Sequence, residues 1–310
     1  VKNIKRWLFI LGFSLLGVIG LAGCGFPGLA GSGNNTIRIA AQNTTEQQIM
    51  SYMIQDMIEH DTKLHTTIIN NLGSANVSFN ALKNNQADIS AIRYVGSDLT
   101  TIMNRNVDRN PARATRTVKD YFKNKYHMTY FDSYGFADTY VWMVTQKTAK
   151  KYNLNNVSDL KPVAGKMNVG IDQIWLNRRG DGYDGFQKMY GYKFGAVHPM
   201  QIGLVYDAVA ADKMDAILGY STDGRVNSYH LKMLKDDKHF FPPYTASAVA
   251  TNKVLKQHPE LKPVINKLSG KIDLKTMQKL NYKVDNDLME PEVVAKQYLE
   301  QHHYFEGSGD

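Results

Sequence analysis

From residue 36 onward the chain alternates between two hydrophobic periods. Short runs rich in Ile, Val and Ala are separated by stretches in which apolar residues recur at helical spacing. TIRIAA (36–41), HTTIINNL (65–72) and ADISAIRY (87–94) read as strands. The helix between the first two spans 44–60, with Thr44 and Gln47 placed as a capping box. SANVSFNALKNN reads as a helix opened by Ser74, and a short helix follows Ser97. A second set repeats the pattern: KMNVGID (166–172), a helix after Gly182, AVHPM (196–200), a helix across 203–212, and MDAILGY (214–220). Alternating strands and helices predict a mostly parallel sheet covered on both faces. Two further extended stretches, YVWMVTQ (140–146) and SAVATN (247–252), separate the sets, and the chain then continues mainly as helix. The pattern predicts one lobe inserted into another: residues 36–140 and 245–305 form lobe one, and 141–244 form lobe two. The expected class is α/β, two-lobed, with two crossover segments and a ligand held in the inter-lobe cleft. Such a ligand touches both lobes and so favours their closed arrangement.

The first 24 residues follow another rule. Lys2, Lys5 and Arg6 precede an apolar run from Trp7 to Leu21, and LAGC then ends at Cys24. This is the layout of a secretory signal. Small residues before a cysteine resemble a bacterial lipobox, which would make Cys24 the lipidated N-terminus of the mature protein; an ordinary transmembrane anchor is the other reading. GFPGLAGSGNN (25–35) has the composition of a flexible tether. Cys24 is the chain's single cysteine, so the folded part can form no internal disulfide. Export without disulfides points to a Gram-positive bacterium and to the outer face of its cytoplasmic membrane.

Net charge is +8, and removing the three positive charges of the signal leaves about +5. Modest basicity suits a protein beside anionic lipid and wall polymers. No basic block or recognition motif points to nucleic acid. Catalytic signatures are also missing. The chain has no Walker lysine loop, no HExxH and no GxSxG. Its nine histidines are scattered, and His302-His303 is too small a set for a metal site. NRRGDGYDG (177–185) gathers Arg178, Arg179, Asp181 and Asp184. It reads as a solvated turn leading into a helix, or as an acid/base dyad of an extracellular hydrolase. No cofactor or metal is expected, and an enzyme is the lesser reading.

Tyr94, Tyr140, Tyr220 and Tyr244 each lie where an extended segment meets a turn or helix: ISAIRYVGS, GFADTYVWM, MDAILGYSTDG and HFFPPYTAS. If those ends converge they form an aromatic cage. A quaternary ammonium has no N–H to donate, so hydrogen bonds cannot hold it. Ring faces can, at roughly 0.5–2 kcal/mol per contact. Another cationic or amino-acid-like solute is the alternative guest.

AAQNTTEQ (40–47), ADISAIRYVGSDLT (87–100), NRRGDGYDGFQKMYGYKF (177–194), MDAILGYSTDG (214–224) and PEVVAKQYL (291–299) together resemble the substrate-binding lipoproteins of osmoprotectant ABC importers. That subfamily serves glycine betaine, carnitine and choline uptake in Gram-positive bacteria. The resemblance spans about 36–305 and implies a type II periplasmic-binding-protein-like fold with permease subunits as partners. It implies that Tyr94, Tyr140, Tyr220 and Tyr244 form the cage and that Gln42, just after the first strand, is a ligand residue. At the position of Ser97 the family varies. Aspartate there goes with choline selectivity, and a hydroxyl residue with acceptance of carboxylate-bearing ligands. Ser97 can donate to a carboxylate or accept from an alcohol, and can also cap the helix that follows Gly96. Val95 stands where the family often has a hydroxyl residue, and Trp175 where a smaller aromatic is common; Trp175 is expected to pack the second lobe.

Overall fold

A computed structural model of the chain describes residues 35–306. Cys24, the 1–24 signal and the tether up to residue 34 lie outside the described residues. Among the described residues ten strands form two five-stranded sheets. The first sheet takes β1 (Thr36–Gln42), β2 (His65–Leu72), β3 (Ile89–Tyr94) and β4 (Met128–Tyr130). The second takes β5 (Tyr140–Val144), β6 (Asn168–Asp172), β7 (Ala196–Met200), β8 (Ala216–Tyr220) and β9 (Lys232–Met233). The last strand, β10 (Ala246–Thr251), returns to the first sheet. The spatial orders are β2-β1-β3-β10-β4 and β7-β6-β8-β5-β9. The second sheet is therefore built wholly from chain lying between two parts of the first.

Burial explains the strand sequences. All but the last residue of ISAIRY in β3 are buried, as a strand covered on both faces requires. On one face of the first sheet, Ile39 and Ile89 pack with Ile49, Met53, Val294 and Leu299. On the other, Ala40 and Val249 meet Phe79, Val118 and Phe122. The second sheet alternates in the same way. Trp142 and Leu218 join an aromatic core with Trp175, Phe186 and Phe194. Met143 and Ile217 point to the opposite face, against Val205, Tyr206 and Val209.

Two crossovers reverse strand direction and so fix the cleft. β1 and β3 are parallel, and β10 runs antiparallel to β3 with Ala246 opposite Tyr94. β6 is parallel to β7 and β8, and β5 runs antiparallel to β8 with Tyr140 opposite Tyr220. In open α/β sheets the ligand crevice lies beyond the carboxyl ends of the parallel strands. Tyr94 ends β3 and Tyr220 ends β8.

Two local expectations are corrected. Thr44 precedes the helix Thr45–Asp61, but its side chain makes no capping bond. Gln47 is buried and donates to the carbonyl of Ile92 at 3.4 Å, so it is too committed to the sheet to reach back. Ser97 does not cap a helix either. It lies within the turn Val95–Ser97 at φ −66°, ψ −44°, and the wider turn Asp98–Ile102 continues from it. Ser74 does cap its helix, accepting from the N–H of Val77 at 3.3 Å.

Candidate ligand-binding site

The antiparallel β5–β8 register puts Tyr140 and Tyr220 side by side, with ring centroids 5.2 Å apart. Tyr244 stands edge-on to Tyr140 at 6.1 Å, and Phe241 lies 6.0 Å from Tyr140. Tyr94 packs against the cores of both sheets, and so does no other residue of the four. Gly96 holds this junction closed. A side chain there would meet the carbonyl oxygen of Pro243 at 2.9 Å and the Tyr244 ring at 3.1 Å, so only glycine lets the end of β3 touch the second crossover.

Each tyrosine hydroxyl is tied to a carboxylate. Tyr140 and Tyr220 both donate to Asp172 Oδ2, at 3.0 and 3.1 Å. Asp172 also accepts from the N–H of Ile174 at 3.1 Å. Tyr244 donates to Asp181, and Tyr94 donates to Glu46. Burial pushes the pKa of all four phenols up, so they remain neutral donors.

The 177–185 segment is solvated at Asn177, Arg179, Gly180 and Asp184 and leads into the helix Tyr183–Tyr190, but Arg178 and Asp181 turn inward. Asp181 is 1% exposed, and Arg178 grips it through Nε at 3.0 Å and Nη2 at 2.8 Å. Arg178 Nη2 also donates to the Tyr244 hydroxyl at 3.1 Å. Its guanidinium carbon sits 5.7 Å from the Tyr140 ring centroid and 5.8 Å from that of Tyr244. The turn is tight enough to demand glycine: a Cβ on Gly182 would lie 2.3 Å from the carbonyl oxygen of Arg178. Asp181 and Arg178 are thus bound to each other and to the aromatic cluster. Trp175 is fully buried, packs on Trp142 and Phe186, and backs Tyr140 at 6.3 Å, in keeping with a packing role. Beside Arg178 opens a cleft of about 360 Å³ between 178–181 and the 100–109 segment of the first lobe. Arg109 crosses to the second lobe, donating to the carbonyl of Phe240 at 2.9 Å.

Gln42 closes β1 beside β3, and Ser97 sits next to Gly96. Both are half-buried, and neither side chain bonds to a cage tyrosine. Sequence reasoning misses Asp172 and Glu46, and it singles out Arg178 and Asp181 only as a turn or an acid/base dyad, not as partners of Tyr244. Asp172 ends a strand of the second set, and that position was the available signal. Among the described residues no group of three or more His, Cys, Asp or Glu could hold a metal ion.

A family profile described as the substrate binding domain of ABC-type glycine betaine transport systems matches residues 35–301. The chain belongs to this family. The carnitine transport binding protein OpuCC of Listeria monocytogenes is 52% identical over 302 residues, covering 96% of this chain and 98% of that protein. A glycine-betaine-binding protein of Pseudomonas aeruginosa is 28% identical over 279 residues, covering 86% of this chain and 88% of its own. The crystal structure of a glycine betaine/carnitine/choline ABC transporter superposes with TM-score 0.81 at 54% identity, over 87% of this chain and 100% of that one. Membership makes the chain a substrate-binding protein of an ABC importer rather than an enzyme. Family members of this kind are extracellular or periplasmic. Among the described residues no helix is long and apolar enough to cross a membrane.

Proposed function

We propose that this protein captures a quaternary-ammonium osmoprotectant in the cage of Tyr94, Tyr140, Tyr220 and Tyr244 and delivers it to the permease of its importer. One observation carries the reading: the Tyr220 and Tyr244 rings lie 5.2 and 6.1 Å from the Tyr140 ring while the three hydroxyls are drawn onto Asp172 and Asp181. Hydroxyls held in this way leave the ring faces, rather than the oxygens, to meet a ligand that cannot donate a hydrogen bond. Arg178 is already paired with Asp181, so it leaves no uncompensated charge for a ligand carboxylate. Ser97 puts no acid in place to repel one, so a carboxylate-bearing ligand such as glycine betaine or carnitine is admitted. Gln42 and Ser97, whose side chains are uncommitted, are the carboxylate contacts.

Calorimetric titration with the three compounds tests this. Binding of at least one carboxylate ligand without turnover supports it, and ligand bound to the native state should raise Tm. Absence of binding or of any thermal shift with all three at millimolar concentration rejects it.

The same proposal includes an address. Cys24 would carry the lipid that holds the receptor on the outer face of the cytoplasmic membrane of a Gram-positive cell. Cys24→Ala should release the protein or stall its processing, while a soluble form starting near Asn34 keeps full affinity. Normal maturation and membrane retention of Cys24→Ala would count against the anchor.

A further inference from the structure

Where the first crossover meets the first lobe, Glu46 and Asp138 both face the single hydroxyl of Thr222, and acceptors around them are left over. Glu46, in the first turn of the helix Thr45–Asp61, is 4% exposed and takes the Tyr94 hydroxyl on Oε1. Its Oε2 is buried with no partner. Asp138, two residues before Tyr140, leaves Oδ1 buried and unpartnered as well. From the helix Leu274–Asp285 comes Asn281, 4% exposed. Its Nδ2 donates to the carbonyl of Thr222 at 2.9 Å, and its Oδ1 again has no donor. Asn281 is no acid and belongs to another element, yet it brings the same unmet need.

A carboxyl proton is the donor that would meet it. Protonating one acid turns an acceptor into an O–H donor and removes one of two like charges from a dry site. The other groups facing the pair do not neutralise it. Tyr94, Tyr206 and Tyr220 stay neutral, their pKa values pushed up by burial. Asp223 is engaged by Arg225 at 2.9 and 2.7 Å, so the nearby cation is already taken. Asp285 accepts from Thr45 Oγ1 at 2.6 Å. Burial pushes Glu46 up, and burial together with the Glu46 charge pushes Asp138 well above the usual carboxylate range.

We propose that Glu46 and Asp138 share one proton in the unliganded protein and that a quaternary ammonium entering the cage expels it. The link is Tyr94, whose hydroxyl is held by Glu46 and whose ring is a cage wall. A fixed cation beside that ring favours the ionised pair, so the complex holds fewer protons than the free protein. Affinity therefore rises with pH, across the window that starts above the ordinary carboxylate range and ends at the raised pKa of the pair. The inference rests on the cage reading of the site.

Titration calorimetry with carnitine, glycine betaine and choline, each in two buffers of different ionisation heat from roughly pH 5 to roughly pH 9, reads the proton directly. The expected result is release approaching one proton per ligand, with affinity rising up to about tenfold per pH unit inside the window. Glu46→Gln combined with Asp138→Asn should abolish the release. An infrared difference spectrum should show a protonated carboxyl band lost on ligand addition in the wild type and not in the double variant. Binding with buffer-independent heat and flat affinity overturns the proposal. If none of the three ligands binds, the cage reading fails and denaturant titration without ligand decides the proton. Wild-type stability should then fall more steeply with rising pH than that of the double variant, and equal slopes would overturn the shared proton.

Discussion

Asp172 and Glu46 each hold tyrosine hydroxyls of the proposed cage, from different lobes, and are solvated by the protein in opposite ways. Asp172, at the end of β6, is 2% exposed and receives two tyrosine hydroxyls and a backbone N–H. Asp181, its neighbour in the second lobe, receives Tyr244 and two bonds from Arg178. Glu46, in the first lobe, is equally dry but leaves Oε2 without a donor. A buried acceptor that is fully paired is rigid and costs little, whereas an unpaired one carries its desolvation cost. The second-lobe acids are therefore fully paired by the fold. On the first-lobe side Glu46 keeps an unpartnered acceptor.

The largest expected effect attacks the rigid side. Asp172→Ala strands two buried hydroxyls and an N–H, each worth about 1–3 kcal/mol. Stability should fall by roughly 3–5 kcal/mol in a urea titration, and affinity by more than about a hundredfold. Glu46→Gln should cost far less at neutral pH, because the amide still accepts from Tyr94 and brings a donor where Oε2 has no partner. If the two substitutions destabilise equally, the contrast between the sides is wrong.

Ring truncation comes next. Tyr140→Ala or Tyr244→Ala should weaken binding by roughly 1–3 kcal/mol. Tyr140→Phe and Tyr244→Phe keep the ring face and should lose less, as calorimetry would show. Equal losses for Phe and Ala at all four cage positions would mean that hydroxyl contacts dominate.

Ser97→Asp sharpens the question of charge on the first-lobe side. An added carboxylate within about 4–6 Å of a ligand carboxylate repels it and accepts the choline hydroxyl, shifting relative affinity toward choline by about tenfold or more. An unchanged ranking of carnitine, glycine betaine and choline would remove Ser97 from the site.

The smallest effect moves the contrast away from the cage. Asp56 has a buried, unpartnered Oδ2, and burial followed by the Glu292 charge raises its pKa to about 6. A folded pKa above the unfolded one contributes stability that is full below the ordinary aspartate range and is lost as pH rises through about 6. The group is only half-buried, so after solvent screening Asp56→Asn should gain no more than about 1 kcal/mol at pH near 8 and leave ligand affinity unchanged. A stability gain that is the same at pH near 4 would exclude this titration as the cause.

Much was written locally. Period-two and helical spacing gave the order of strands and helices, because each depends on neighbours within a few residues. The two extended crossovers followed from the same pattern, and the four tyrosines could be singled out by their places at element ends. Three of them, Tyr140, Tyr220 and Tyr244, do share ring contacts, and Tyr94 bridges both cores. The capping box at Thr44 failed because Gln47 bonds to Ile92, a partner supplied by the sheet. The solvated reading of 177–185 holds for Arg179 and Asp184 and fails for Arg178 and Asp181, which look equally hydrophilic in sequence until Tyr244 and Trp175 bond to them.

The carboxylates behind the cage could not be read from the chain. Glu46 finds Tyr94 across 48 residues, Asp172 finds Tyr220 across 48, and Asp181 finds Tyr244 across 63. Sequence determined which rings stand at the ends of strands, because strand ends are a local matter. Only the tertiary structure decided which acids hold those rings, and which of those acids lack a donor, because burial and long-range partners exist only once the fold has removed the water.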